Sequence, residues 1–291
     1  MSKKWKAGLQ VSISACLIVF VFLNIDLGQV KNLAFHPQRA PLLIAAFVAF
    51  NASKIVGALR LNIYQRHAAI KLSERDNLRL YYAGMFLNVF LPGGIGGDGY
   101  KILVLHRSHS LPLRTVVTTT LVDRVSGIFV LLFIWCMLLP MLSLPWDAAT
   151  IMVYTVASGA ALVAVFIWGH RWYTKLDMQA LAGVFALGLA VQCLQLLCMG
   201  ALLLYVGAPA AHYLAYLAVF LVSSVAATLP LSIGGLGMRE ATFLFGVKLI
   251  HLDPAYGVIA SSLFFLVTVF SSLIGALFLT RFSLRSPATN C

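Results

Sequence analysis

The chain has 291 residues, of which 61% are hydrophobic and only 10% are charged. A soluble domain of this size cannot keep so much apolar surface away from water, so the composition excludes that class and indicates a polytopic membrane protein. The formal charge of +12 comes from basic residues in short clusters between apolar segments. Such clusters are typical of cytoplasmic anchors against anionic lipid, and we expect the bilayer, not nucleic acid, as the partner.

Apolar segments long enough to cross the membrane recur along the chain, since about 30 Å of hydrocarbon requires roughly 20 helical residues. The basic link at 60–79 is predicted to be cytoplasmic, and so is the link around Arg107 and Arg114. The last residues, 282–291, form a short polar tail. The predicted full spans lie at about 8–24, 41–60, 115–140, 150–169, 180–206 and 256–280.

Two glycine-rich segments interrupt the apolar sequence. Residues 91–101 read Leu-Pro-Gly-Gly-Ile-Gly-Gly-Asp-Gly-Tyr-Lys, and residues 229–239 read Leu-Pro-Leu-Ser-Ile-Gly-Gly-Leu-Gly-Met-Arg. Proline and glycine end helices, and irregular backbone at membrane depth is tolerated only against protein or a polar cavity. We therefore predict an all-α membrane protein of about six full spans and two re-entrant helical hairpins, at about 79–107 and 212–250.

The charge distribution orients this layout. With the amino terminus inside, fifteen of the 21 Lys and Arg residues flank the cytoplasmic side, and both termini are predicted to be cytoplasmic. Three full spans separate the hairpins, so the second hairpin enters from the opposite face. This predicts one membrane domain, 1–291, with inverted repeats at about 41–140 and 180–281. The alternative is that 212–230 crosses completely, which removes the symmetry.

Backbone N–H groups at broken helix ends, together with cations, form an anion site. We predict that Lys101 and Arg239 converge with the glycine-rich backbone on the phosphate of a lipid. The alternative is that the glycines only allow close helix packing and the cations anchor at the interfaces. The predicted substrate-binding residues are Asn88, Gly94, Gly96, Gly97, Asp98, Lys101, Arg124, Gly234, Gly235, Gly237, Arg239 and Glu240.

Acidic and basic residues also lie close together within the apolar segments. In a low-dielectric interior each charge requires a partner. Neighbouring residues on a helix point about 100° apart, so residues at 123/124 and 239/240 are predicted to pair with other segments. Lys54 and Asp123 are predicted to be ion-pair or gating residues, although Lys54 can also snorkel towards a headgroup. The three acid–base neighbours are Asp98 with Lys101, Asp123 with Arg124, and Arg239 with Glu240.

Three segments resemble the flippase-like transmembrane region of lysylphosphatidylglycerol synthases: residues 88–101, residues 122–127, and the Gly-Gly-x-Gly-x-Arg-Glu motif within 229–241. The resemblance implies a bacterial or archaeal inner-membrane protein that handles anionic or aminoacylated lipids. It also implies functional importance for four residues that match the motifs. The chain has Asp123 where the family has Glu, and it contains no soluble aminoacyl-transferase domain, so we expect a standalone member that does not make lysyl-lipid. The four matching residues are Asp98, Arg124, Arg239 and Glu240.

The leading hypothesis is a translocase for an anionic, aminoacylated or polyprenyl phospholipid. An integral-membrane enzyme that acts on a lipid phosphate, with Asp98 or Glu240 as base, is one alternative, and a membrane scaffold for a lipid or envelope synthase is another. The protein partner expected is such a synthase or a second copy of the chain. No serine–histidine–acid pattern is present, and His106 and His109 lack a supporting Glu or Cys. We therefore expect no catalytic residues, no metal and no cofactor.

Overall fold

The computed structural model describes residues 37–91, 96–109, 111–142, 146–174, 176–228 and 237–279. Every regular element in these ranges is helical. The α-helices are α1 (Ala40–His67), α2 (Glu74–Phe90), α3 (Gly96–His109), α4 (Leu113–Leu138), α5 (Ala148–Tyr173), α6 (Met178–Val206), α7 (Tyr213–Thr228), α8 (Met238–Leu249) and α9 (Pro254–Ala276). The predicted span at 8–24, the polar tail and the predicted site residues Gly94, Gly234 and Gly235 lie outside the described residues.

Six of these helices are long and apolar enough to cross a membrane: α1, α4, α5, α6, α7 and α9. This confirms the predicted all-α polytopic fold. Helix α7 with its preceding 3-10 turn covers Ala210–Thr228, which is 19 residues. That length permits a full crossing, so the two alternatives for the second hairpin remain those given by the sequence.

The predicted end of the first described span was wrong. Helix α1 continues past residue 60 to His67, and Arg60 is buried inside the bundle instead of lying in a cytoplasmic link. Its guanidinium Nε lies 2.9 Å from Oδ1 of Asp123 on α4. Because a buried carboxylate supplies the partner, the cation does not end the helix.

Helices α2 and α3, which flank the first glycine-rich segment, pack against each other. Helix α3 begins at Gly96, inside the glycine-rich segment, and the side chain of Asn88 on α2 accepts a hydrogen bond of 2.8 Å from the backbone N–H of Gly97. A Cβ atom at Gly97 would lie 1.7 Å from the carbonyl oxygen of Gly84. The glycine at position 97 therefore allows the two backbones to touch, as close helix packing in membranes requires.

Helix α9 connects helices α2 and α3 to the rest of the bundle. It packs against α2, and a Cβ at Gly275 would lie 2.0 Å from the carbonyl oxygen of Tyr82. The side chain of Asn51 on α1 accepts from the Tyr82 hydroxyl at 2.8 Å and donates to Ser271 Oγ at 2.9 Å. The amide of Asn51 thus joins α1, α2 and α9.

Candidate functional site

Across the ranges that the structure describes, eight charged side chains lie within the helix bundle, and we call them the central charge cluster. They come from α1, α3, α4 and α8. Five are basic and three are acidic, so the cluster carries a surplus of two positive charges when all eight are ionised. The members are Lys54, Arg60, Asp98, Lys101, Asp123, Arg124, Arg239 and Glu240.

Asp98 is the centre of one end of the cluster. It is buried in the first turn of α3, where the helix dipole favours a negative charge. One carboxylate oxygen lies 2.8 Å from Nζ of Lys101, and the other forms an ion pair with Nε of Arg124. The prediction that Arg124 pairs with another segment is confirmed.

Arg60 and Asp123 form a second buried ion pair. Besides the contact to the carboxylate, a terminal guanidinium nitrogen of Arg60 donates to the backbone oxygen of Asp123 at 3.1 Å. The prediction that Asp123 pairs with a segment other than its own is therefore also confirmed.

We expect Asp123→Asn to lower the free energy of unfolding by about 3 kcal/mol, because Arg60 would remain buried without a carboxylate. The double variant with Arg60→Met and Asp123→Leu is expected to recover most of this loss, since apolar side chains of similar volume replace a buried pair at little cost. Denaturant unfolding of the purified protein in detergent measures both. A double variant less stable than Asp123→Asn would contradict the assignment.

Tyr81 lies between the two ion pairs. The ammonium of Lys101 is 5.2 Å from the centre of its ring, and a Cβ at Gly57 would lie 2.8 Å from its hydroxyl oxygen. Gly57 lies one helical turn before Arg60, the basic partner of the second ion pair. Tyr81 therefore connects the Asp98 end of the cluster to α1.

On α1 the two cluster residues, Lys54 and Arg60, lie on one face of the helix together with Gly57 and Tyr64. Lys54, Gly57, Arg60 and Tyr64 are spaced three or four residues apart and cover about 15 Å along the helix axis. The Lys54 ammonium lies over the Phe50 ring, and the Phe50 ring contacts the Phe264 ring, over which the Arg239 guanidinium lies. This face of α1 is therefore connected, through Lys54 and the phenylalanine rings, to Arg239 of the second glycine-rich motif.

Lys54 and Arg239 lie on a cluster of three phenylalanine rings. The Lys54 ammonium is 4.3 Å from the centre of the Phe50 ring, and the Arg239 guanidinium is 4.6 Å from that of Phe264 and 5.1 Å from that of Phe220. The ring centre of Phe264 is 5.4 Å from that of Phe50 and 5.0 Å from that of Phe220. Cation–π contacts of this kind stabilise a positive charge away from water.

The surplus charge of the cluster is concentrated at Lys54 and Arg239. Within the described part of the chain, neither side chain forms an ion pair, and both are partly exposed. Arg239 donates a hydrogen bond of 3.1 Å to Ser224 Oγ. Two partly exposed cations in an apolar bundle are suited to bind an anion, because such charges are costly without a counter-charge.

Glu240, the neighbour of Arg239 in the sequence, accepts a hydrogen bond from the backbone of its own motif. Its buried carboxylate accepts a hydrogen bond of 2.8 Å from the backbone N–H of Gly237, which has a φ of +83°. The carboxylate thereby satisfies a donor at the start of α8. Gly237 and Glu240 shape the turn from which Arg239 projects.

The predicted site residues thus divide into two groups. Asn88, Gly97, Gly237 and Glu240 hold the backbone of the two motifs through the contacts given above, and Gly96 is packed against the Leu91 side chain, 2.9 Å from an ideal Cβ. The charged residues lie in one connected cluster, but at different ends of it. Lys101 contacts Asp98 and Tyr81, whereas Arg239 contacts Phe220, Phe264 and Ser224.

Sequence reasoning missed Arg60, Tyr81 and the phenylalanine cluster. Arg60 carried one signal, because Asp123 inside a predicted span required a cation from another segment. The aromatic residues carried none, since phenylalanine is common throughout the chain. Among the residues that the structure describes, no group of three His, Cys, Asp or Glu side chains is arranged to hold a metal ion.

The sequence model of a family described as "Lysylphosphatidylglycerol synthase TM region" matches residues 8–178 and 170–275 of this chain. The matched segments include all eight members of the central charge cluster. A comparison with curated proteins finds no match. The family match covers most of the chain and agrees with the motifs on which the resemblance was based. The chain therefore belongs to the family of lysylphosphatidylglycerol synthase transmembrane regions, and it is a multi-pass, lipid-related membrane protein.

Proposed function

We propose that this protein translocates a lipid with a phosphate in its headgroup across the inner membrane of a bacterium or archaeon. The observation that supports this is the surplus positive charge at Lys54 and Arg239, partly exposed inside the bundle. The family match supports a role with lipids. The substrate would be an anionic or aminoacylated phospholipid, or a polyprenyl phosphate.

In the proposed mechanism the phosphate exchanges cation–π contacts for charge-assisted hydrogen bonds. Lys54 and Arg239 would move off the phenylalanine rings to bind the phosphate oxygens, which are stronger acceptors than an aromatic face. The acyl or prenyl tail would stay in the bilayer. The ion pairs of Asp98 with Lys101 and Arg124, and of Arg60 with Asp123, would act as gates that open when the two inverted repeats move against each other.

The test is a sidedness assay with purified protein in vesicles that contain fluorescent phosphatidylglycerol, in which a membrane-impermeant reductant quenches only the outer leaflet. We expect Arg239→Gln and Lys54→Gln to slow translocation by about tenfold or more, since each removes one charge-assisted contact to the phosphate. Lys248→Gln is the matched control, because Lys248 is an exposed cation on the same helix as Arg239.

Equal translocation rates in Arg239→Gln and the parent would refute the phosphate site. Mass spectrometry of the lipids after the assay separates translocation from catalysis, because translocation changes the sidedness of a lipid and an enzyme changes its mass. A changed mass with unchanged sidedness would favour an integral-membrane enzyme. Absence of both, with a synthase recovered alongside the protein from native membranes, would favour a scaffold.

A further inference from the structure

A polar cavity of about 390 Å³ lies at one end of the bundle, where α1 and α5 end and α4 begins. Its volume falls within the range of small-molecule and headgroup pockets. None of the residues that line it belongs to the central charge cluster. The lining includes His67, Arg114, Thr115, Thr118, Thr119 and Tyr173.

The chemistry of this cavity favours an anion. Arg114 contributes a positive charge in the first turn of α4, where the helix dipole adds to it, and Thr115 and Thr118 contribute hydroxyl groups, whereas the hydroxyl of Thr119 donates to the carbonyl oxygen of Thr115. Within the described part of the chain, no acidic side chain lines the cavity. A guanidinium with hydroxyl groups beside it is suited to bind the oxygens of a phosphate.

The inner wall of the cavity is held in place by buried hydrogen bonds. The Nδ1–H of His170 donates to the carbonyl oxygen of Phe166 at 2.7 Å, so Nε2 of the neutral ring is an acceptor. The hydroxyl of Tyr64, which lines the cavity, lies 2.7 Å from this Nε2 and donates to it. The position of the Tyr64 side chain in the inner wall is therefore fixed by the protein without a ligand.

A separate apolar groove lies farther along the same two helices, α4 and α5. Along α4, the first groove residue, Phe133, is about 16 Å from Val122 of the cavity lining. Along α5, the last groove residue, Ile167, is about 10 Å from Thr174 of the cavity lining. The groove is open on one side. Its exposed surface is almost entirely apolar. The lining includes Phe133, Met137, Gly159, Ala160, Val163 and Ala164.

The level of the cavity relative to the bilayer is marked by aromatic side chains. Trp168, Trp172 and Tyr173 are more than half exposed in the last two turns of α5, beside the cavity. Exposed tryptophan and tyrosine at the end of a span mark the headgroup region. The polar cavity thus lies at headgroup depth and the apolar groove at acyl-chain depth.

We infer that the seam between α4 and α5 binds one anionic phospholipid of the bilayer. Its phosphate contacts Arg114, Thr115 and Thr118, and one acyl chain lies in the groove beside Ala160 and Ala164. This site is separate from the central charge cluster and does not depend on translocation. Its occupant is a bound lipid that remains in one leaflet.

The experiment is a titration of the delipidated protein, in detergent, with dioleoylphosphatidylglycerol, followed by native mass spectrometry. We expect Arg114→Gln to weaken the one-lipid complex by about fivefold, the effect of one cation at an anionic lipid surface. Ala164→Phe, which fills the groove from an exposed position, is expected to weaken it by a similar factor.

Each variant has a matched control on an exposed position outside the site. Arg107→Gln removes an exposed cation from the last turns of α3, and Val165→Phe adds a ring at an exposed position of α5 that does not line the groove; both are expected to bind like the parent. Dioleoylphosphatidylcholine is expected to bind more weakly than phosphatidylglycerol. The inference is overturned if Ala164→Phe binds the lipid as the parent does, or if glycerol phosphate alone competes at the same concentration as the lipid.

Discussion

Replacing Gly97 by alanine is expected to force α2 and α3 apart and to leave little folded protein. The added Cβ would lie 1.7 Å from the carbonyl oxygen and 2.5 Å from the carbonyl carbon of Gly84. Both are backbone atoms, so no side-chain rotation relieves the overlap. We expect a loss of about 3 kcal/mol or more in the free energy of unfolding, at the upper end of what overpacking costs.

The matched control lies two residues away. Gly99 is exposed on the same helix, and a Cβ there would meet no atom within 4 Å. Gly99→Ala is expected to stabilise the protein by about 0.5–1 kcal/mol, because alanine loses less backbone entropy in a helix. Both variants are compared by the fraction that stays monodisperse in detergent after heating. Equal stability of Gly97→Ala and the parent would show that the hairpin tolerates a wider separation.

The order of the helices was predictable because it depends on local composition. A run of roughly 20 apolar residues predicts a span wherever it occurs, and the observed α4 to α9 begin and end within a few residues of the predicted bounds. The error at the end of α1 came from Arg60. A basic residue at the end of an apolar segment resembles an interfacial anchor, and only the fold shows that Asp123 lies opposite it.

The site was predictable only as far as charges require partners. Asp123 and Arg124 are helix neighbours that point apart, and this rule placed each of them against another segment. It did not identify those segments, because pairing across α1, α3 and α4 depends on how the helices pack. The support of Lys54 and Arg239 by phenylalanine rings was not predictable either, since the rings come from α1, α7 and α9 and meet only in the folded protein.

Asp98 is the residue of the cluster whose loss is expected to have the largest effect. Its carboxylate is shared by Lys101 and Arg124, so Asp98→Asn removes the counter-charge of two cations at once. Removing one partner of a buried pair costs about 3–5 kcal/mol, and we expect the upper end of that range. The free energy of unfolding in detergent measures the loss. The exposed carboxylate of Glu74, paired with Arg66, provides the control, and Glu74→Gln is expected to cost less than about 1 kcal/mol.

A double variant tests whether the stability lost in Asp98→Asn is due to the uncompensated positive charge. Asp98→Asn combined with Lys101→Met removes one of the two affected cations and is expected to regain part of the lost stability, because an uncompensated charge costs more than a missing contact. The Lys101 stem lies beside Gly84, where methionine fits in its place. If the double variant is less stable than Asp98→Asn alone, the role of Asp98 is not to balance charge. In that case the carboxylate acts chiefly by closing the hairpin, next to the hydrogen bond between Asn88 and Gly97.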